Sequence, residues 1–362
     1  MYKSVHGGDI YSEQNKALGS NLIDYSANVN PLGLPASVKD AVKNAIKNCV
    51  NYPDPLCREL AEKLAHHLKV RKDYLFISNG AADVLFKLAL AAKPKRAVLL
   101  APTFADYEKA LQTVGCKFTY YDLREGDNFV IGPDLLKKIN SRVDMVVICN
   151  PNNPTGKLMD KALLEELLEK CSRTGTKLLV DECFMDFVDD EKAYSLRPKL
   201  NKYPNLIILK AFTKTYAMPG MRLGYCITSD AGLIRALHEN GQDWNVSVLA
   251  QAAGIAALDE ASYLFASKEL IRTERQYLTA QLEALGAKTF GSEANYIFFK
   301  LEKPANLAEL LHKQGFLIRE CANYHNLGSA YYRIAVKTRY TNRALIKAIK
   351  EVRRNAFVIG NY

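Results

Sequence analysis

The chain has 362 residues, of which 48% are apolar and 24% are charged, values close to those of soluble globular proteins. This length and composition allow one large domain with an appendage, or two domains, and exclude disorder over any long stretch. Lysine and arginine exceed aspartate and glutamate by ten (49 − 39), but the basic residues are spread along the chain. Because basic sites for nucleic acid or phospholipid are clustered, we expect neither a nucleic-acid nor a membrane partner.

The first twenty residues contain no apolar stretch of signal-peptide length, and no later run approaches the roughly 18 apolar residues of a membrane span. The eight cysteines form no C-x-x-C pair, and most of them lie in apolar runs. Buried reduced thiols are therefore favoured over disulfides or a metal site. We expect a soluble, cytoplasmic protein with no bound metal.

Short β-rich runs alternate with amphipathic helical stretches over the first 230 residues or so. In chain order, the predicted strands are Tyr74–Ser78, Ala97–Ala101, Lys117–Tyr121, Asp144–Cys149, Lys177–Asp181, Leu206–Lys210 and Leu223–Thr228. The predicted helices between them are Ala81–Ala92, Phe104–Val114 and Asp160–Thr174. Strands that alternate with helices indicate an α/β fold whose mostly parallel sheet is covered on both faces.

The pattern changes after about residue 240. Helical stretches dominate from Val248 to Leu285, and a helix is predicted over Thr341–Arg353. The strands predicted between them are Tyr296–Lys300, Phe316–Arg319 and Tyr332–Val336. This order predicts a smaller α+β domain, which an extended N-terminal segment joins. We therefore divide the chain into an arm at 1–34, a large domain at 35–245 and a small C-terminal domain at 246–362.

Ligands of open α/β sheets bind beyond the carboxyl ends of the strands, where this chain carries unusual residues. Ser78-Asn79-Gly80-Ala81-Ala82 passes from strand to helix, and its small residues let backbone N–H groups approach a phosphate. Asn150-Pro151-Asn152-Asn153-Pro154 is a fixed turn that either satisfies itself with Asn side chains or holds an amide toward a ligand. Asp181 ends an apolar run, where it either caps a helix or faces a ligand.

Lys214 follows another predicted strand, with Thr213 and Thr215 beside it and Arg222 eight residues further on. A single lysine in such a place is usually solvated, but these hydroxyls, the Pro219-Gly220 turn and the arginine favour a pocket for an aldehyde and a phosphate. Together, and in this order, the motifs resemble fold-type I pyridoxal-5′-phosphate enzymes of the class I/II aminotransferase superfamily, over roughly residues 20 to 350. The resemblance implies a large domain with a mostly parallel sheet and a smaller α+β domain.

The resemblance also implies a role for each matching residue. Lys214 would be the Schiff-base lysine, and Asp181 would keep the ring nitrogen protonated so that the ring accepts carbanion charge. Asn153 would bind the phenolic oxygen of the ring, and Phe104 would stack on the ring. The groups that would hold the cofactor phosphate are Arg222, Thr213 and the amides of Gly80 and Ala81.

Two positions depart from the superfamily pattern. Many aminotransferases have a tyrosine three residues after the aspartate, where this chain has Phe184, so one ligand of the phenolic oxygen is missing. Three residues before the lysine, a phosphate-binding serine is replaced by Ala211. Phe184 suggests a particular branch of the superfamily, and Ala211 removes one contact to the cofactor phosphate.

Within the superfamily, several segments resemble the threonine-phosphate decarboxylases: His6-Gly7-Gly8, Asp24–Gly33, Asp181–Phe187 and Ile318–Tyr324. By that resemblance, the residues around the substrate's phosphate and carboxylate would be Ser4, His6, Gly7, Asn28, Asn153, Arg319 and Arg333. Without the residues around it, His6 would be interpreted as a residue of the N-terminal arm that has no functional role. The two glycines that follow it favour an anion-binding nest, because no side chain separates the backbone from a ligand.

Tyr52, in Asn51-Tyr52-Pro53-Asp54, matches a family tyrosine that reaches the cofactor of the neighbouring subunit. The resemblance therefore implies a homodimer with shared active sites.

The activity implied is decarboxylation of L-threonine O-3-phosphate to (R)-1-amino-2-propanol O-2-phosphate and CO2, in cobalamin side-chain synthesis. Histidinol-phosphate aminotransferases, which need a keto-acid acceptor, share nearly every cofactor ligand and are the alternative. A binding or regulatory protein of the same fold would be expected to have lost Lys214 or Asp181, and both are present. The bond of the α-carbon that stands perpendicular to the cofactor ring decides between decarboxylation and transamination, and the sequence leaves this angle open.

Overall fold

The computed structural model describes residues 6–304 and 306–359. In chain order, its strands are β1 (Ile23–Asp24), β2 (Leu75–Ser78), β3 (Arg96–Ala101), β4 (Lys117–Asp122), β5 (Met145–Cys149), β6 (Lys177–Asp181), β7 (Leu206–Ala211), β8 (Gly224–Ile227), β9 (Lys288–Thr289), β10 (Tyr296–Lys300), β11 (Phe316–Leu317), β12 (Arg319–Glu320) and β13 (Tyr331–Ala335).

The α-helices are α1 (Glu13–Lys16), α2 (Ala36–Ala45), α3 (Arg58–Leu68), α4 (Ala81–Ala92), α5 (Asp106–Gln112), α6 (Lys161–Thr174), α7 (Glu191–Tyr194), α8 (Phe212–Thr215), α9 (Ala231–Glu239), α10 (Val248–Ala257), α11 (Ala261–Ala284), α12 (Leu307–His312) and α13 (Arg339–Ile359).

The larger sheet has seven strands in the spatial order β2-β8-β7-β6-β5-β3-β4. The strands from β7 to β4 are parallel to one another, and β8 runs antiparallel to both of its neighbours, β7 and β2. The predicted α/β fold with a mostly parallel sheet is therefore confirmed. The central strands β5 to β7 are buried over almost their whole length, as their continuous apolar sequences require.

Each face of this sheet packs against its own layer of helices. Val146 and Ile148 of β5 share a core with α3, α6 and α10, whereas Val147 faces α4, α5 and α9 on the other side. This alternation follows from the two-residue period of a strand. Among the helices, α6 begins where the Asp160 side chain accepts a hydrogen bond from the Leu163 N–H, and it ends at Gly175, whose φ of +73° suits a helix terminus.

The smaller sheet has the order β12-β13-β10-β9 and is antiparallel. It shares a core with α11, α12 and α13, and Tyr25 from the N-terminal arm is fully buried in that core. The pairing of β1 with β11 ties the arm to this domain. The prediction of a single strand over Phe316–Arg319 is wrong. The chain divides at the buried Ile318, because its first half pairs with β1 and its second half pairs with β13.

The division into arm, large domain and small domain stays a prediction. The packing of α10 disagrees with the predicted boundary at residue 245. This helix lies beyond that boundary, yet it packs against α2 and α3 and shares the core of the large sheet. The packing therefore favours a boundary after α10.

All eight cysteines are free, and Cys49 is the exposed one. Within the ranges described above, no helix combines the length and the apolar character that a membrane crossing requires.

Candidate active site

A cavity of about 280 Å³ lies at the carboxyl ends of β5, β6 and β7, where the small domain and the arm meet the large sheet. Twelve of the predicted site residues line it: His6, Gly7, Asn28, Ala81, Phe104, Asn153, Asp181, Thr213, Lys214, Arg222, Arg319 and Arg333. Of the other three, Gly80 borders Arg222, Tyr52 lies elsewhere on the surface, and Ser4 lies outside the described residues. The cavity therefore lies where the carboxyl-end rule places the ligands of such a sheet.

Lys214 is carried by α8, a single helical turn that directly follows β7. Burial, and then the positive charge of Arg333, lower the pKa of Lys214 to about 8, with a smaller contribution from Arg222. A lower pKa leaves more of the amine neutral near pH 7, which is the form that attacks an aldehyde. Lys214 therefore has the chemistry of a covalent anchor for an aldehyde cofactor.

Asp181 is the last residue of β6, and its carboxylate is buried beneath the cavity. One of its oxygens accepts a hydrogen bond of 2.5 Å from the Tyr107 hydroxyl, and the other accepts one of 2.9 Å from the Cys183 N–H. Burial raises the pKa of Asp181 despite these two donors. No cationic side chain of the described residues pairs with this carboxylate. Because an unpaired buried charge is costly, the site suits a cationic ring nitrogen.

A cradle for an anion lies at the N-terminus of α4. A Cβ atom on Gly80 would lie 2.8 Å from a terminal nitrogen of Arg222, and a Cβ atom on Gly224 would lie 2.3 Å from the Ala81 nitrogen. The two glycines thus let the guanidinium and a neighbouring strand approach the first amides of the helix. An arginine beside free N–H groups at a helix N-terminus suits a phosphate, and Thr213 faces the same cavity.

Asn153 and Arg333 are held together at the opposite side of the cavity. The Asn153 side-chain oxygen accepts hydrogen bonds from Arg333 Nη1 and, at 3.4 Å, from the Tyr324 hydroxyl. Its amide nitrogen is therefore left to donate into the cavity, as a phenolic oxygen would require. Arg333 Nη2 also donates to the Ser26 carbonyl at 2.7 Å. Each terminal nitrogen keeps a second N–H, and no carboxylate of the described residues pairs with Arg333, so the guanidinium is positioned for an anionic ligand.

The N-terminal arm lies against the same cavity. A Cβ atom on Gly7 would lie 2.4 Å from the Ser26 carbonyl oxygen, so only glycine allows this approach. The Gly8 N–H donates to the Ser26 hydroxyl at 2.7 Å. His6 Nε2 lies 2.9 Å from Asp106 Oδ1, and its ring centroid is 5.3 Å from that of Phe104. The arm therefore brings an imidazole to the ring that is predicted to stack on the cofactor.

Two further predicted substrate residues are Asn28, on the arm itself, and Arg319, on β12. Asn28 is 3% exposed, and its side-chain oxygen has no hydrogen-bond partner in the described part of the chain. Arg319 donates to Asn323 Oδ1 at 2.7 Å, and its guanidinium lies 5.4 Å from the centroid of the Tyr324 ring. A buried polar atom without a partner usually marks the place of a ligand or an ordered water. The arm side of the cavity is therefore built to receive a polar molecule.

Tyr52 lies outside the cavity of its own chain. Its side chain is 78% exposed and stacks on Trp244, with 4.5 Å between the ring centroids. Its predicted contact with a neighbouring subunit stays a prediction.

At the two departures from the superfamily pattern, Phe184 and Ala211 both line the cavity, and Phe184 packs edge-to-face on Tyr296, with 5.1 Å between the ring centroids.

Sequence reasoning missed three side chains that shape the site: Tyr107, Asp106 and Tyr324. Two of them, Asp106 and Tyr107, are the first residues of α5, which begins shortly after the carboxyl end of β3. The carboxyl-end rule could have drawn attention to this segment. No pattern in the sequence shows that Tyr107 bonds Asp181, because 74 residues separate them.

The comparisons with known proteins agree with this geometry. A family model described as aminotransferase class I and II matches residues 20–349. The threonine-phosphate decarboxylase of Salmonella typhimurium is 35% identical over 97% of this chain and 97% of its own length. The histidinol-phosphate aminotransferase structure from Clostridium acetobutylicum has a TM-score of 0.87 at 30% identity, over 92% of this chain and 100% of that one.

A second solved structure shows the same fold with the cofactor bound. It is the histidinol-phosphate aminotransferase from Sinorhizobium meliloti in complex with pyridoxal-5′-phosphate, with a TM-score of 0.82 at 23% identity, over 91% of this chain and 90% of that one. The anion cradle, the unpaired Asp181 carboxylate and Lys214 fit the phosphate, ring nitrogen and aldehyde of that cofactor. The chain belongs to the class I and II aminotransferase family and is a pyridoxal-5′-phosphate-dependent enzyme.

Proposed function

We propose that this enzyme decarboxylates L-threonine O-3-phosphate to (R)-1-amino-2-propanol O-2-phosphate and CO2, the reaction that supplies the cobalamin side chain. The observation that carries the proposal is that one cavity joins the cofactor residues to His6, Arg319 and Arg333. Three groups of this kind suit a small substrate with two anionic ends, a phosphate and a carboxylate. The similarity to the Salmonella decarboxylase over nearly the whole of both chains supports the same substrate.

The cofactor residues have separate tasks in this proposal. Lys214 Nζ would hold the cofactor, and the Asp181 carboxylate would pair with the ring nitrogen. The Asn153 amide would donate to the phenolic oxygen, and Phe104 would stack on the ring. Thr213, Arg222 and the amides of Gly80 and Ala81 would bind the cofactor phosphate. When bound, pyridoxal phosphate supplies an electron sink for the negative charge that develops on the substrate's α-carbon.

The substrate residues decide which bond is placed for cleavage. Arg333 is fixed by Asn153 and the Ser26 carbonyl, so its remaining N–H groups can bind the carboxylate in one orientation. The groups proposed for the phosphate are Ser4, His6, the Gly7 amide, Asn28 and Arg319. Because both ends of the substrate are held, rotation about its α-carbon is restricted, and the carboxylate is the group presented for loss. The Lys214 amine would then deliver a proton to that carbon.

Transfer of an amino group from histidinol phosphate to a keto acid, or the reverse reaction, is the alternative. Its support is the Clostridium acetobutylicum structure, which overlays on 92% of this chain at 30% identity. The cofactor residues serve both reactions equally. The alternative requires that a keto acid and a phosphorylated amine enter the same cavity in turn, and that the α-hydrogen rather than a carboxylate is presented to Lys214.

We also propose that the enzyme works as a homodimer. Ile46, Val50, Tyr52 and Leu56 expose 50% or more of their surface along one short stretch of chain, and Trp244, which stacks on Tyr52, exposes 48%. Apolar side chains gathered in this way are typical of an interface. A second copy that covers this stretch would bring Tyr52 to the neighbouring site, as the family resemblance implies. Cross-linking and sedimentation of the wild type and of Val50→Glu test this arrangement.

The decisive experiment measures CO2 release from L-threonine O-3-phosphate by the cofactor-loaded enzyme without a keto acid. In parallel, histidinol phosphate with 2-oxoglutarate is tested for amino transfer. Rapid CO2 release that Lys214→Ala abolishes supports the decarboxylase. No CO2, together with brisk amino transfer, would establish the aminotransferase and refute the proposal.

A further inference from the structure

Asn30 lies on the arm, two residues after Asn28, and is 3% exposed. Its side-chain nitrogen donates to the Thr215 carbonyl at 2.8 Å and to the Ser267 hydroxyl at 2.7 Å. Its side-chain oxygen accepts from the Leu32 N–H at 3.1 Å, and its own backbone N–H donates to the Lys214 carbonyl at 3.2 Å. One asparagine therefore binds the backbone of two consecutive residues, Lys214 and the residue that follows it.

The third partner of Asn30 lies in another part of the molecule. Ser267 is a buried residue of α11, whose later residues Leu278 and Leu282 belong to the core of the small domain. That domain supplies Arg319 and Arg333 to the cavity. The Asn30 side chain thus joins the turn that carries Lys214 to the helix on which the substrate-binding domain is built.

The same turn is also held by an ion pair between the buried Lys210 and the partly buried Asp186. The Thr215 hydroxyl donates to Asp186 at 2.8 Å, and Asp186 in turn pairs closely with Lys210 at the end of β7. The sheet therefore holds the turn on one side, and Asn30 holds it on the other. Since hydrogen bonds to buried groups are costly to leave unmade, loss of the Asn30 amide would free the Thr215 carbonyl and allow α8 to shift.

We infer that Asn30 is a positioning residue for Lys214. It is not one of the residues that line the cavity, so it acts through the backbone of α8 and not on substrate or cofactor. By holding α8 against α11, it keeps the Lys214 side chain at a fixed place relative to Arg333 and Arg222. This inference requires a lysine-bound cofactor but neither of the two candidate reactions, so its failure would leave the proposed decarboxylation untouched.

The test compares Asn30→Ala with the wild-type holoenzyme and with the control Asn205→Ala. Asn205 is a partly buried asparagine whose amide donates to the Thr176 carbonyl at 3.1 Å, near the amino end of β7 and away from the turn. The visible absorption of the cofactor is titrated with pH, and kcat and KM are measured in parallel. The absorption reports the ionisation of the link between Lys214 and the cofactor, which a general loss of stability would not move.

We expect the apparent pKa of this absorption to rise by at least about half a unit in Asn30→Ala, because the link moves away from two positive charges. We also expect kcat to fall about tenfold, as small misplacements of a reacting group do, with KM within about threefold of wild type. Asn205→Ala should match the wild type in all three quantities. Ser267→Ala, which keeps the bond to Thr215, should shift the absorption in the same direction by a smaller amount.

A titration of Asn30→Ala that coincides with the wild type would overturn the inference, even if the melting temperature falls. If Asn30→Ala does not fold, Ser267→Ala decides, since it loses a single hydrogen bond: a rise in the apparent pKa supports the inference, and a wild-type titration overturns it.

Discussion

The site consists of two halves that are built in different ways. The cofactor half contains Asn153, Asp181, Thr213, Lys214 and Arg222, which follow the neighbouring strands β5, β6 and β7 within one stretch of about 70 residues. The substrate half contains His6, Gly7, Asn28, Arg319 and Arg333, which come from the two ends of the chain. These two ends meet because β1 of the arm pairs with β11 of the small domain.

Their electrostatics differ as well. Among the described residues, the buried carboxylate of the cofactor half has no cationic partner, and the Arg333 guanidinium of the substrate half has no carboxylate partner. The carboxylate suits a positively charged ring nitrogen, and the guanidinium suits an anion. In the proposed assignment, the groups that hold the cofactor therefore lie at the edge of the large sheet, whereas the groups that choose the substrate lie on the arm and the small domain.

The largest effect is expected in the cofactor half. Lys214→Ala removes the amine that anchors the cofactor and moves the proton, so we expect turnover to fall by at least about a thousandfold. The visible absorption should vanish, and borohydride should no longer attach the cofactor to the chain. Lys350→Ala, a change at an exposed lysine of α13, serves as the control. An absorption band that survives in Lys214→Ala would show that another residue holds the cofactor.

Lys214 should also be unusually reactive in the cofactor-free protein. Its pKa of about 8 lies below the ordinary value of 10.5, so the fraction of neutral amine at pH 7 should exceed that of a surface lysine by about 300-fold. Acylation should therefore reach half its maximum near pH 8, being suppressed below this pH and complete above it. Arg333 and Arg222 oppose the ammonium form, and Cys183 and Asp24 favour it. Peptide mass spectrometry across pH gives the midpoint, and a value near 10 would contradict the assigned environment.

Arg333→Ala should separate the two halves. Removal of a buried guanidinium costs about 2–5 kcal/mol of binding to an anionic partner, so KM for the phosphorylated substrate should rise about a hundredfold. The dissociation constant of pyridoxal phosphate should change by less than about threefold. Arg343→Ala, a change on α13 away from the cavity, is the control. If both constants rise equally, Arg333 belongs to the cofactor half and the comparison fails.

Asp106→Asn should give the smallest effect. The carboxylate lies 2.9 Å from His6, and its loss removes one charge-assisted hydrogen bond that holds the arm over the cavity. We expect KM to rise about fivefold while kcat and cofactor affinity stay near wild type. His6→Ala should give a similar increase, and the double variant should add little to either. Fully additive effects would show that the two residues act separately.

Much of the fold and of the cofactor half could be predicted from local sequence. The strands of the large sheet and the helix Ala81–Ala92 are apolar or amphipathic runs. The spacing of their apolar residues predicts a strand or a helix without knowledge of the rest of the chain. Asn153, Asp181 and Lys214 can then be expected to lie close together, because the carboxyl ends of parallel strands meet at one edge of the sheet. The same logic failed at Phe316–Arg319, where local β-propensity was correct and the choice of two different partner strands was not a local property.

By itself, the sequence determined the alternation of strands and helices in the large sheet, the family resemblance and the lysine that is proposed to hold the cofactor. Only the tertiary structure decided that Tyr107 bonds Asp181, that Asp106 meets His6 and that Asn30 joins Lys214 to Ser267. The physical reason is the separation along the sequence. Hydrophobic periodicity and turn chemistry act over a few residues, whereas each of these contacts joins residues at least 70 positions apart. Such a contact forms only after the arm, the sheet and the small domain have packed together.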